Sequence, residues 1–185
     1  MTGRLTPLPE AEWDDDIRTA LAGLLPRRRR NAEGAGNALA TLVRHPELAK
    51  ALMPFSAYLL MKSSVPARLR ELAILRTAGR RRCTYELAQH RRMATKAGLT
   101  AEEIDAAVQG TAKGELESAV LAAVDELDAS SDLTDATWTT LTAHLTEQQV
   151  MDLVVTIGAY ALLAMTFNAL GVRPEEREVE LDDRL

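Results

Sequence analysis

From Leu153 to Phe167 the chain runs for fifteen residues without a charge. A run of this kind must be hidden from water, in a membrane, in a core or between subunits. It is short for a bilayer, which takes about 20 apolar residues. Thr156, Gly158 and Thr166 interrupt it, Asp152 precedes it and Asn168 follows it. It therefore reads as the buried core or interface part of one long helix, capped by Thr146, spanning Glu147 to about Leu170 and ended by Gly171 and Pro174. A helix apolar nearly all round exceeds what a small helical monomer needs, so a homo-oligomer is expected.

The rest of the chain is built to match such a helix. Hydrophobic residues make up 46% but aromatics only 4%, so Leu, Ala, Val and Met must fill the interior. Gly and Pro are sparse, and strand alternation is absent, so the chain is expected to be all-α. A length of 185 residues suits one domain with a real core. Within 1–185 we distinguish an extension (1–36), a core (37–110), C-terminal helices (115–172) and an acidic tail (173–185), the last a solvated arm or interface strap. The net charge of −5, from 22 basic and 27 acidic residues, argues against nucleic acid or an anionic membrane as partner. The single cysteine fits a reducing compartment. With no apolar signal core before Asp14-Asp15-Asp16, a cytoplasmic location is expected.

Punctuation residues divide the chain into helices. Leu5 to Pro9 reads as an extended lead-in, followed by a helix from Glu10 to Leu25 that Pro26 stops. Arg27 to Gly36 reads as a charged flexible loop. Helical spacing covers Asn37 to Arg44, then Glu47 to Met53 behind Pro46. Pro54 breaks the pattern, which resumes from Phe55 to Met61. Ser64-Val65-Pro66 signals a helix from Ala67 to Ala78, and Gly79 with Arg80 to Arg82 makes a joint. The next helix, Cys83 to Ala97, has Gly98 as its C-cap. Thr100 to Glu103 matches a capping box for Ala101 to Gln109. Further helices span Glu115 to Ala129 and Thr134 to about Leu145. A weak repeat aligns Leu69-Arg70-Glu71-Leu72 with Val150-Met151-Asp152-Leu153. It places Cys83, Glu86 and His90 on Ala164, Phe167 and Gly171, a copy that keeps a helix pair and loses the chemistry.

The chemistry concentrates in Cys83-Thr84-Tyr85-Glu86-Leu87-Ala88-Gln89-His90. On a helix, Cys83, Glu86 and His90 at i, i+3 and i+7 share one stripe, within about 60° of arc. A helix N-terminus, Arg80 to Arg82 and His90 would each lower the thiol's pKa, whereas Glu86 would raise it. Within one turn of His90, Glu86 could hold an imidazolium or orient one tautomer. Glu71 reaches His90 only if the two helices form an antiparallel hairpin around Gly79. Each residue also has an ordinary reading: a buried small cysteine, a surface glutamate, a satisfied histidine. No other His or Cys pair has ligand spacing, and His45 and His144 lie in unrelated segments, so neither metal nor cofactor is expected.

Two segments together, Pro66-Ala67-Arg68-Leu69-Arg70-Glu71-Leu72-Ala73-Ile74-Leu75-Arg76 and Cys83 to His90, resemble the carboxymuconolactone decarboxylase family, whose superfamily includes the alkylhydroperoxidase D-like proteins. The resemblance is strongest over 37–99 and extends to Val172. It implies an all-helical fold with a helix-hairpin core, assembling into trimers or hexamers, a dimer being the further arrangement. The alkylhydroperoxidase D-like members use Cys-x-x-Cys-x-x-x-His with an upstream glutamate. Here Cys83, Glu86, His90 and Glu71 occupy those positions, so the second thiol is missing and an intrachain disulfide cycle cannot run. The decarboxylase-like pattern is matched by Tyr85, Glu86 and His90, with Tyr85 a candidate substrate contact and Cys83 the departure.

Three readings follow. The first is an acid/base, lyase-type enzyme acting on a small carboxylated or lactone substrate, with His90 tuned by Glu86 and Glu71. The second is a one-cysteine thiol peroxidase, an antioxidant oxidoreductase using Cys83. The third is a non-catalytic oligomer that binds a small ligand or a partner, in which Cys83, Glu86 and His90 do not share a cavity.

Overall fold

A computed structural model describes residues 4–175 of the chain. Among the described residues there is no strand. Nine α-helices run as α1 (Asp15–Ala20), α2 (Ala32–Leu42), α3 (Pro46–Met61), α4 (Ala67–Arg80), α5 (Thr84–Lys96), α6 (Ala101–Gln109), α7 (Glu115–Ser130), α8 (Asp135–His144) and α9 (Glu147–Leu170). They form two compact units, Ser64–Thr166 and the segments on either side of it. The expected acidic tail lies mostly outside the described residues.

Ser64–Thr166 is organised around α4, which packs against α5, α6 and α7. Leu72, Ala73 and Leu75 of α4 meet Ala94 of α5, Ile104 and Ala107 of α6, Val120, Leu121 and Val124 of α7, and Leu153 and Ile157 of α9 in one apolar cluster. Ser64 does not cap α4. Its N–H and hydroxyl both donate to Asp152 Oδ2, at 2.6 and 2.8 Å, which pairs the buried charge of α9 with the start of α4. Arginines fix the flanks of α4. Arg76 forks onto both oxygens of Asp125 and donates to the Val108 carbonyl, and Arg68 joins Glu103 and Glu117.

The α4–α5 hairpin is closed by a Schellman turn. Cys83 N–H donates to the Ala78 carbonyl and Arg82 N–H to Gly79. Arg82 sits in the left-handed region at φ 52°, a position usually given to glycine. Gly79 itself is ordinary helix inside α4; there a Cβ would stand 3.0 Å from the Val108 carbonyl oxygen, which explains the small residue. The same turn ends α5, α6 and α9, with Gly98, Gly110 and Gly171 in the left-handed position.

Sequence reading placed the Thr100–Glu103 capping box, the whole of α6 and the whole of α9 correctly. Elsewhere the structure corrects it. The segment 10–25 is not one helix. Trp13 is extended, its indole donating to the Leu8 carbonyl, and Asp14 caps a new, short helix through Ile17 N–H. The stretch 27–36 is not a loop. Asn31 caps α2 through Gly34 N–H, and Arg30 and Ala32 are tied to Leu25 and Glu10. Pro54 does not break α3, which continues through it. Its ring lies where a Cβ on Gly23 would come within 2.9 Å, so packing compensates the lost helix hydrogen bond. The second half of the suggested repeat lies along α9, one uninterrupted helix, so it contains no second hairpin.

α9 is long and apolar enough to cross a membrane by length and composition, and half of that stretch is buried within the protein. Leu153, Ile157, Tyr160 and Ala164 face inward, while Met151, Val155, Gly158, Leu162 and Met165 are exposed at alternating steps of four and three.

The turn geometry predicts opposite outcomes at two matched sites. Arg82→Gly relieves the left-handed strain and should raise stability by up to about 1 kcal/mol. Gly110→Ala should lower it by more than about 1 kcal/mol, since the new Cβ meets both a left-handed φ of 88° and the Arg76 guanidinium at 2.7 Å. Urea denaturation measures both, and a destabilised Arg82→Gly variant contradicts the assignment.

Candidate active site

The hairpin sets Glu71 on α4 opposite His90 on α5. His90 Nδ1 lies 2.7 Å from Glu71 Oε2, with Glu71 1% and His90 6% exposed. With Glu71 as carboxylate, Nδ1–H donates to it, and Nε2 is left as the basic nitrogen. Among the described residues nothing hydrogen-bonds Nε2. The imidazole is fixed on a second side by Tyr160 of α9, whose ring meets it in a T-shaped contact at 4.9 Å between centroids. Burial, with Glu71 and Glu86 nearby, holds the Tyr160 phenol well above its ordinary pKa, so it stays protonated.

Glu71 is thus the carboxylate that holds His90. Sequence reading gave this role first to Glu86, one turn away, and the structure corrects that. Glu86 is on the buried face of α5, 2% exposed, and neither of its oxygens has a hydrogen-bond partner among the described residues. Burial raises its pKa to about 8, so at neutral pH it is mainly a neutral acid. The nearby Cys83 thiol opposes this only weakly, without reaching hydrogen-bond geometry.

Cys83 is not on the helical stripe. It is the extended N-cap residue of α5, held there by the turn that closes α4. Its side chain is completely buried, and burial pushes the thiol up to about 11. The backbone N–H groups of Tyr85 and Glu86 favour the thiolate, but desolvation outweighs them. The expected help from the arginine run is weak, because Arg80 and Arg81 are paired with Asp128. Tyr85 is half-buried and stands about 100° round α5 from Glu86. The aromatic ring against His90 is Tyr160 instead.

Sequence reading missed Tyr160 and Arg70. Tyr160 had one signal, a phenol within the uncharged apolar run of α9, one turn after the buried Thr156. Arg70 stands in the family-like segment Pro66 to Arg76 with no role read from the sequence. Its side chain is 13% exposed, and its Nε lies 3.6 Å from Glu71 Oε1, the oxygen that His90 does not use. That contact is an ion pair without hydrogen-bond geometry, and Nε is sealed from solvent with no acceptor. No group of three or more His, Cys, Asp or Glu side chains among the described residues could hold a metal ion.

Comparison with known proteins agrees with this architecture. The chain is similar to the alkylhydroperoxidase AhpD core of an uncharacterised peroxidase-related protein from Ralstonia eutropha JMP134, with a TM-score of 0.72 and 19% identity over 93% of each chain. The apo debrominase Bmp8 gives a TM-score of 0.71 and 18% identity over 93% of this chain and 92% of that one. An Agrobacterium tumefaciens protein of unknown function, a candidate AhpD antioxidant-defence protein, gives 0.66 and 22% over 72% and 94%. No curated protein sequence matches the chain. The carboxymuconolactone decarboxylase family profile matches residues 46–129, which carry α3 to α7 and with them Glu71, Cys83, Glu86 and His90. Over that segment the chain is similar to the carboxymuconolactone decarboxylase family, and its all-helical fold is like that of the AhpD-like proteins.

Proposed function

We propose that the protein is an acid/base enzyme acting on a small carboxylated or lactone substrate. The observation that carries this reading is the buried Glu71–His90 hydrogen bond at 2.7 Å. Glu71 orients the imidazole so that Nε2 takes a proton from the substrate, and its charge stabilises the imidazolium that results. Glu86, kept neutral by burial, supplies a proton to the charge that develops elsewhere on the substrate. Such an arrangement suits migration of a double bond, which needs one proton removed and one delivered, or loss of carbon dioxide from a carboxylate, which leaves its bonding electron pair on carbon and needs one proton delivered there. Tyr160 holds the imidazole plane.

The second reading makes Cys83 the reactive group. It is favoured by the proximity of Cys83 to Glu86, whose carboxylate form, populated above pH about 8, could accept the thiol proton. Another fold relative, a cysteine-to-alanine variant of the debrominase Bmp8, was crystallised with 2,3,4-tribromopyrrole, which encourages a test of thiol chemistry. Against it stands the buried, protonated thiol. A third, non-catalytic reading, an oligomer that binds a small ligand, requires that Cys83, Glu86 and His90 not share a cavity; the Glu71–His90 hydrogen bond supports the acid/base reading over it without bearing on that condition.

His90→Gln should lower turnover by about 10²-fold or more, and Glu71→Gln should lower kcat with the fold intact. Activity at the level of the unsubstituted protein in His90→Gln refutes the acid/base assignment. In the second reading, mild peroxide leaves a sulfenic acid on Cys83 that mass spectrometry detects after trapping; the acid/base reading predicts none.

Glu86 also makes stability depend on pH. Its folded-state pKa of about 8 exceeds the ordinary 4.5, so between these values the folded state holds more protons than the unfolded one. Stability should therefore fall as pH rises from about 4.5 to about 8, by a few kcal/mol in order of magnitude. Activity should decline over the upper end of the same range as the proton donor is lost. Glu86→Gln should flatten the stability profile, and an unchanged slope in denaturation at pH 5, 6.5 and 8 contradicts the assignment.

We propose further that the protein is a homo-oligomer joined through the exposed Met151, Val155, Leu162 and Met165 stripe of α9. Light scattering should report a multiple of 20.2 kDa that falls on Leu162→Glu substitution; a monomer at micromolar concentration contradicts this.

A further inference from the structure

Arg70 is the charged side chain whose placement the acid/base scheme leaves unexplained. A buried guanidinium has five N–H donors in a rigid fork, and leaving them unmade is costly. In the arginines Arg68 and Arg76 each guanidinium nitrogen is bonded: Arg68 bonds Glu103, Glu117 and the Gly98 carbonyl, and Arg76 bonds Asp125 and the Val108 carbonyl. Arg70, at 13% exposure, is as buried as Arg76 and more buried than Arg68, yet among the described residues its guanidinium makes no hydrogen bond. Its one charged neighbour is Glu71 Oε1, at 3.6 Å. Oε1 likewise has no hydrogen-bond partner.

The location gives this vacancy meaning. Glu71 has the His90 imidazole on Oε2 and the Arg70 guanidinium beside Oε1, so the two side chains are separated by the width of one carboxylate. Arg70 also acts electrostatically on Tyr160, which packs on His90. An unsaturated guanidinium beside a proton-transfer pair is suited to bind an oxyanion, since forked N–H donors match a carboxylate in geometry and charge. Its residual exposure leaves it reachable from solvent. Full saturation by Glu71 alone would need the carboxylate to turn away from His90.

We propose that Arg70 is the anion-binding residue of this site and receives a carboxylate of the substrate beside the Glu71–His90 pair. The proposal rests on the acid/base reading for what happens to the bound molecule, but binding itself does not require that chemistry. Arg70 thereby selects anionic over neutral substrates and sets the distance between the anchored carboxylate and Nε2 of His90.

The test is calorimetric titration at constant ionic strength with acetate, succinate and benzoate. Succinamide serves as the uncharged counterpart and inorganic phosphate as the other common oxyanion. The unsubstituted protein should bind at least one of the carboxylates and not succinamide. Arg70→Gln should weaken that binding by about tenfold or more, and Arg70→Lys by less, since lysine keeps the charge and loses the fork. Circular dichroism of both variants establishes that they are folded, and Arg70→Lys carries the comparison if Arg70→Gln is not. His90→Gln should keep carboxylate binding while losing turnover, which separates the two claims. If His90→Gln loses turnover but Arg70→Gln and Arg70→Lys bind as the unsubstituted protein does, the anion site is wrong and the acid/base reading stands. Failure of every carboxylate to bind, equal binding of succinamide, or binding of phosphate alone also overturns the proposal.

Discussion

The buried hydrogen bond between Glu71 and His90 is the constraint to which the rest of the site answers. A carboxylate 1% exposed is costly to bury, and a partner that can carry positive charge offsets that cost. The partner comes from the next helix, so the pair exists only if α4 and α5 fold back on each other in one register. The Schellman turn through Ala78, Gly79, Arg82 and Cys83 sets that register, with Arg82 in a strained conformation. The arginines flanking α4 and the Asp152–Ser64 contact hold the same helix against α6, α7 and α9. The apolar scaffold and the polar site share α4.

Around that pair, burial sorts the remaining groups by charge. Glu86 has no cation to hold it and is driven toward its neutral form, whereas Glu71 has His90 and Arg70 at its two oxygens. Two glutamates on facing helices thereby have different surroundings, one hydrogen-bonded to His90 and one without a hydrogen-bond partner among the described residues. Cys83 is likewise kept neutral, and it is inseparable from the turn because its backbone closes α4 while its position caps α5. Its place in the chain is explained by the hairpin whether or not its sulfur reacts.

Local signals carried much of the architecture. Thr100 and Glu103 form the reciprocal cap that their spacing announces, and α9 begins and ends at its punctuation residues, because both are decided within a few residues of chain. Pro54 misled because its lost hydrogen bond is compensated by packing against Gly23, a contact made between segments distant in sequence. Trp13 and Asp14 ended a helix that periodicity alone would have continued. At the site, residue types were legible and pairings were not. Glu71, Glu86 and His90 could be named from their order, but spacing on one helix favoured Glu86 as the partner of His90. Choosing Glu71 required the geometry of the hairpin. Tyr160 lies seventy residues beyond His90 and is brought to it only by the packing of α9.

The central claim is that Glu71 fixes the His90 imidazole with its proton on Nδ1 and its basic lone pair on Nε2. Nitrogen-15 NMR of the histidine side chains reads this directly and needs no substrate. The account predicts that, where the ring is neutral, His90 shows Nδ1 protonated and Nε2 bare, and that Glu71→Gln abolishes this preference. A neutral His90 with its proton on Nε2, or a tautomer balance untouched by Glu71→Gln, would contradict it.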